Sequence, residues 1–191
     1  MLRWSQATGL LPVVVAMAAV ASAQGALPLQ ERVLGPGELS GFSINGPPEV
    51  ARSAKAWLRP VTPGEFRAAA ALKARGFVVG AREYLTGSNA QAVSDVMEFK
   101  TARGARVALA QFVVGVRAGS YSLTRFSVPG VPSAQAAATS AVNRKAFNIA
   151  FADGRFWYLV SVGYPPEAGK HPTRAIVVAA ARALYRRVHS A

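Results

Sequence analysis

FNIAFADGRFWYLVSV, residues Phe147 to Val162, sets apolar runs on both sides of an Asp-Gly pair. The pattern predicts a β-hairpin. Asp153-Gly154 fits a type I′ turn, which requires positive φ at both central residues. A two-residue turn there sets Phe151 opposite Phe156, Ile149 opposite Tyr158 and Phe147 opposite Val160. Alternate residues of a strand share a face, so these six form one apolar wall. The other face carries Asn148, Ala150, Ala152, Arg155, Trp157, Leu159 and Ser161 and is mixed and smaller. Covering each large side chain is worth roughly 1.5–3 kcal/mol. The first face must therefore be covered, and helices are available to cover it. Its side chains supply shape and burial, not proton transfer, so the stretch is a wall rather than the floor of an active site.

The neighbouring segments supply the cover. Thr62-Pro63-Gly64-Glu65 reads as a capping box, with proline at the first helical position and Val61 and Phe66 spaced as a hydrophobic staple. Lys73 and Arg75 suit the negative helix end and Gly76 the stop, which predicts a helix over 63–75. Residues 77–86 and 91–100 read as strands around Gly87-Ser88-Asn89. Val93, Asp95, Met97 and Phe99 share a face there, and Asp95 is expected to be solvated near a sheet edge. Residues 101–117 place Ala105, Ala108, Leu109, Phe112, Val113 and Val116 on one helical stripe. Gly104 and Gly115 weaken that helix by roughly 1 kcal/mol each relative to Ala, while small residues let it lie close on a sheet. Residues 121–128 predict a strand, and Pro129-Gly130-Val131-Pro132 a rigid loop. In 134–141 the alanines favour helix, but Thr, Ser and position favour strand, and strand is the expectation. The last helix, 173–188, turns Val177, Ala180, Ala181, Leu184 and Val188 inward and Arg174, Arg182 and Arg186 outward.

The first 23 residues read differently. Arg3 precedes the uncharged run Gly9–Val20, and Ala21-Ser22-Ala23 offers the small residues of a cleavage site. This is the order of a secretory signal. The run is shorter than the roughly 20 residues of a membrane span and contains Pro12, so no anchor is expected after cleavage. Residues 24–48, punctuated by Gly35-Pro36-Gly37, Asn45-Gly46 and Pro47-Pro48, read as an extended N-terminal arm. Gly41–Ile44 reads as a short edge strand within it. Residues 49–191 are expected to form one domain, with a short helix over Ala51–Arg59.

The 191 residues carry 22 Lys and Arg against 9 Asp and Glu, a formal charge of +13, of which Arg3 would leave with the signal. Two readings stay open. A GC-rich genome yields such an Ala, Arg, Gly and Val content, and a basic extracytoplasmic protein is drawn to polyanions. The cations are scattered, without the basic stripe and stacking aromatics of a nucleic-acid groove. Cysteine is absent, which removes thiolate catalysis and Cys-based zinc sites. The two histidines, His171 and His189, lack a third metal ligand, and His189 is expected to fray. No G-x-S-x-G elbow or S-x-x-K occurs. Gly35, Gly37 and Gly41 follow no strand and open no helix, so they make no dinucleotide fingerprint.

The order of elements — the 63–75 helix with GFVVG, a two-strand unit, a helix after MEFKTARGA, FSVPGVPSA, NIAFADGRFWYLV and a closing helix through ALYRRV — resembles secreted bacterial proteins of the Mog1/PsbP-like kind over roughly residues 60–188. That resemblance implies an antiparallel sheet flanked by helices on both sides. It implies action by binding proteins and carries over no catalytic residue. The expectation is therefore an α+β fold, an α/β/α sandwich with a sheet of about five to six strands. It is a secreted, non-enzymatic, monomeric binding module of the envelope, with no cofactor, metal or specific nucleic acid. Its partner would be an envelope protein or an anionic surface polymer. The expected contact residues are Pro129, Gly130, Val131, Pro132, Arg174, Arg182 and Arg186, with the 87–90 turn nearby. The alternatives are a lipid or small-ligand carrier with the aromatic face lining a cavity, and a hydrolase using clustered carboxylates among Glu83, Asp95, Glu98 and Asp153.

Overall fold

A computed structural model describes residues 27–59, 63–118, 120–169 and 171–191. The expected signal segment, the staple residue Val61, the capping hydroxyl of Thr62 and the Gly119 stop lie outside the described residues. The strands are β1 (Phe42–Ile44), β2 (Glu49–Ala51), β3 (Phe77–Gly87), β4 (Ala90–Phe99), β5 (Ser122–Arg125), β6 (Gln135–Ala141), β7 (Arg144–Asp153) and β8 (Phe156–Tyr164). The helices are α1 (Ala54–Leu58), α2 (Pro63–Ala74), α3 (Ala102–Ala118) and α4 (Arg174–His189). The class is α+β, as the sequence implies, but the sheet has eight strands rather than five or six. Its order is β1-β3-β4-β8-β7-β6-β5, with β2 also paired to β3. The extra strand β2 falls at the junction between arm and domain and pairs through Glu49–Ala51 with Gly80–Arg82. The ambiguous alanine-rich segment is strand β6.

The hairpin of β7 and β8 turns one step later than Asp153-Gly154. Asp153 pairs with Phe156, Phe151 with Tyr158, Ile149 with Val160 and Phe147 with Val162. Gly154, at φ 54°, holds the first central position, and Arg155 at the second lies outside the positive-φ region. Glycine first and a non-glycine second is the II′ arrangement, not I′. Each partner moves by two residues, so the faces are unchanged; a shift of one would have reversed them. The turn is also held from outside, because the Arg155 carbonyl accepts from the Phe99 N–H at 2.9 Å and its guanidinium meets Glu98 at 2.9 Å.

Both faces of the sheet are covered. On one, Ile149, Phe151, Tyr158, Val160 and Val162 pack against Val177, Ala180, Ala181, Leu184 and Val188 of α4. Phe151 and Tyr158 stack at 4.7 Å between centroids, and Tyr185 closes edge-on at 5.6 Å. The wall is a packed interior, with Phe151, Tyr158 and Ile149 fully buried. On the other face, Met97, Phe99, Ala150 and Trp157 meet Ala105, Ala108 and Leu109 of α3, with Trp57 of α1 and Leu72 of α2. The crossover from β4 to the far edge strand β5 carries α3 over this second face.

Part of the lead-in packs into the first layer. A 3-10 turn, Leu29–Arg32, leads to Val33 and Leu34, which are buried together with Leu39. The Leu34 N–H donates to Ser94 Oγ at 3.0 Å. Arg32 is buried too; it donates to Tyr158 Oη at 3.1 Å and lies 4.2 Å over the Phe156 ring. Burial pushes the Tyr158 phenol up to about 12, with Arg32 pulling the other way. Arg187 of α4 then ties this segment down. It donates to Glu38 Oε1 at 3.0 Å, Glu38 Oε2 at 2.7 Å and the Val33 carbonyl at 2.7 Å, and also to the Glu31 carbonyl.

The two weak points of α3 differ in kind. A Cβ at Gly104 would collide with the Arg75 carbonyl oxygen and sit 3.1 Å from Phe99 Cβ, whereas one at Gly115 would meet nothing within 4 Å. Gly104 is thus the point of close approach and Gly115 only a loss of helix propensity. In urea unfolding, Gly115→Ala is expected to stabilise by about 0.5–1 kcal/mol, and Gly104→Ala to destabilise by about 1–3 kcal/mol through overpacking.

Candidate functional site

The surface formed by α4 and the loop after β5 is built from alternating anchors and exposed groups. Val128 and Val131 are buried in the same cluster as the inner face of α4. Between them the chain reverses through Val131 N–H to the Val128 carbonyl at 3.2 Å. Gly130 makes that reversal at φ 80°, a region glycine enters without steric cost. Pro129, Gly130 and Pro132 stay exposed. Val131, expected among the contact residues, faces inward, so its part is to anchor the loop.

The loop lies alongside the outward arginines. A Cβ at Gly130 would sit 3.4 Å from Arg182 Nε. Pro129 and Arg174 share a depression of about 450 Å³ with Ser127, Thr173, Ala175 and Val178. The Arg174 guanidinium lies 5.6 Å from the Phe126 ring centroid, which orients it beside this depression. Arg174, Arg182 and Arg186 are all exposed, and no ion pair engages them among the described residues. Arg187, beside Arg186, is used structurally in the clamp on Glu38. The structure thus brings Pro129, Gly130, Arg174 and Arg182 together and carries Arg186 one turn farther along the same helix. The 87–90 turn belongs to a separate place. It lines a depression of about 390 Å³ with Asn143, Arg144 and Tyr164.

Several carboxylates meet a basic side chain. Glu49 pairs with Arg59 at 2.7 Å, Glu38 with Arg187 at 2.7 Å, Glu98 with Arg155 at 2.9 Å and Asp153 with His189 at 3.2 Å. His189, expected to fray, is the last residue of α4, with its ring stacked on Tyr185 at 5.0 Å. His171 stacks on Tyr164 at 4.8 Å. No group of three or more His, Asp and Glu side chains gathers for a metal among the described residues.

Asp95 corrects the expectation of a solvated edge residue, being 3% exposed on a central strand. Its cross-strand partner on β3 is Arg82. Arg82 Nε and Nη2 donate to the two carboxylate oxygens at 2.8 and 2.9 Å. Trp57 covers the guanidinium at 4.4 Å. Gly80 leaves room for that indole, since a Cβ there would come within 2.6 Å of it. The hydrogen bonds to Asp95 hold Arg82 charged, raising its pKa further. Burial pushes the Asp95 carboxyl up, and Arg82 pulls it back. A satisfied pair of this kind closes the sheet face and offers no free carboxylate to a reaction. Sequence reading missed it because the pairing of Arg82 with Asp95 depends on strand register.

No family model and no curated protein matches this chain. Its fold is similar to that of the extracellular domain of PknH from Mycobacterium tuberculosis. The two are 16% identical with a TM-score of 0.55, over 87% of this chain and all of that one. A second solved structure, a putative uncharacterized protein (Rv0999 ortholog) from Mycobacterium smegmatis, is 11% identical with a TM-score of 0.38, over 77% of this chain and 90% of that one. At 16% identity the first likeness is one of fold.

Asp95→Ala is expected to cost about 3 kcal/mol by leaving a half-buried guanidinium without its partner. The double change Arg82→Leu with Asp95→Leu should recover most of that loss, as read by chemical denaturation.

Proposed function

We propose that this chain is a non-enzymatic binding module working outside the cytoplasm, which contacts an anionic polymer of the cell envelope through α4 and the 127–132 loop. The observation that carries this reading is the division of charge. Several carboxylates, Glu38, Asp95 and Glu98 among them, are taken up by arginines within the fold, while Arg174, Arg182 and Arg186 stand exposed along one helix beside a rigid loop. In a chain of formal charge +13, such a row draws polyanions by long-range attraction and holds them by charge-assisted hydrogen bonds.

Several observations support the rest. The expected signal over 1–23 would route the chain out of the cytoplasm, and the PknH neighbour is described as an extracellular domain. No helix among the described residues is long and apolar enough to cross a membrane. The Mog1/PsbP-like resemblance read from the sequence implies action mainly through binding other proteins. A hydrolase would need two carboxylates converging on a substrate. Of the four candidates, Asp95 and Glu98 meet arginines and Asp153 meets His189, while Glu83 has no basic partner among the described residues. A protein partner would use the same surface, and a monomer leaves it open.

The test is binding of the secreted chain to acidic wall polymer or to anionic vesicles across a series of salt concentrations. Affinity should fall steeply with salt, because exposed charges are screened within about 8 Å at physiological ionic strength. Replacing Arg174, Arg182 and Arg186 together by Gln should weaken binding roughly tenfold or more, on the scale of about 1 kcal/mol per surface cation. Salt-independent binding, or equal binding by the triple variant, would refute the assignment.

A further inference from the structure

A second cavity has the opposite electrostatic character. It lies between the packed lead-in and β3, holds about 460 Å³, and is lined mainly by apolar side chains that include Leu34 and Ile44. Three of the nine acids in the sequence, Glu31, Glu38 and Glu83, line it with Arg187. Arg187 is spent on Glu38. Glu31 and Glu83 are left without a cation among the described residues.

Glu83 is the informative member. On β3 it takes an inward position between Ala81 and Leu85, both buried in the core on the α4 side of the sheet. It is 3% exposed. Its Oε1 accepts the N–H of the next residue, Tyr84, at 3.0 Å. Among the described residues no donor reaches Oε2. Burial pushes this carboxyl up, with the Tyr84 amide opposing. A buried acid without a cation is costly unless something else meets it. Every other buried charge here has a side-chain partner, so Glu83 stands apart in a chain rich in arginine that could have supplied one.

We infer that this cavity is a binding site for a small amphiphilic cation, a primary ammonium on an aliphatic body, with Glu83 receiving the ammonium and Leu34 and Ile44 the chain. The volume falls within the range of small-molecule pockets, which are apolar with a few placed polar groups. An anion is disfavoured by Glu31 and Glu83, and a neutral lipid would leave Glu83 unmet. The site does not include Arg174, Arg182 or Arg186.

The test is calorimetric titration of the secreted chain with three probes of equal chain length: n-decylamine, n-decanol and decanoate. Decylamine is expected to bind best and decanoate not at all. Glu83→Gln should weaken decylamine at least tenfold and leave decanol unchanged, with its thermal unfolding checked to show that it folds. Glu31→Gln, an exposed change on the rim, should weaken decylamine by a smaller factor. The triple arginine variant should bind decylamine normally, which separates this site from the anionic-polymer reading. Equal binding of decylamine and decanoate, or decylamine affinity unmoved by Glu83→Gln, would overturn the inference.

Discussion

The central strands of this protein are apolar on both sides, and that constraint organises the rest. Ile149, Phe151, Tyr158 and Val160 cannot face water, and neither can Ala150 and Trp157 on the reverse. A sheet with two such faces needs two layers of cover. The chain meets the need by sending α3 across one face on its way to the far edge strand and returning α4 across the other at its end. The alternation of bulk decides which helix goes where. Small Ala150 and Ala152 leave space for α3 at close approach, helped by Gly104, while the larger wall meets the alanines of α4.

Charge is arranged around that frame, and arginine serves several ends. Arg82 and Asp95 fill a polar gap in an apolar face under Trp57. Arg187 crosses from α4 to the lead-in and fixes a segment remote in sequence. Arg32 is buried against Tyr158 and Phe156, with aromatic contact and one hydroxyl in place of a carboxylate. Arg174, Arg182 and Arg186 share the helix with Arg187 yet point outward. The +13 total is thus a poor guide to the binding charge, because several of these cations are consumed inside the fold.

Two regions of the surface then differ in sign. The α4 and loop surface is cationic, shallow and open. The cavity under the lead-in is apolar with uncompensated carboxylates. Both depend on long-range pairings: the first on Val128 and Val131 inserting beside α4, the second on Val33 and Leu34 covering β3. The cavity gathers Glu31, Glu38 and Glu83, of which Glu38 is held by Arg187.

The amino-acid order alone determined most of the elements and the orientation of their faces. Capping signals and periodicities of two and of 3.6 are local properties: the first placed α2, the second α3 and α4, within a residue or so, and the period of two assigned the strand residues of β7 and β8 to the correct side. Register, partnership and depth were decided only by the tertiary structure. The hairpin slipped by one pair because a turn with glycine first suits II′ geometry, and periodicity of two is blind to a shift of two. Asp95 looked solvated because its compensating charge lies on another strand, and burial of an ion depends on a partner that spacing does not reveal. The lead-in read as an arm because it has no period, yet Val33, Leu34 and Leu39 pack into the core under the hold of Arg187, a contact between chain ends that no local pattern encodes.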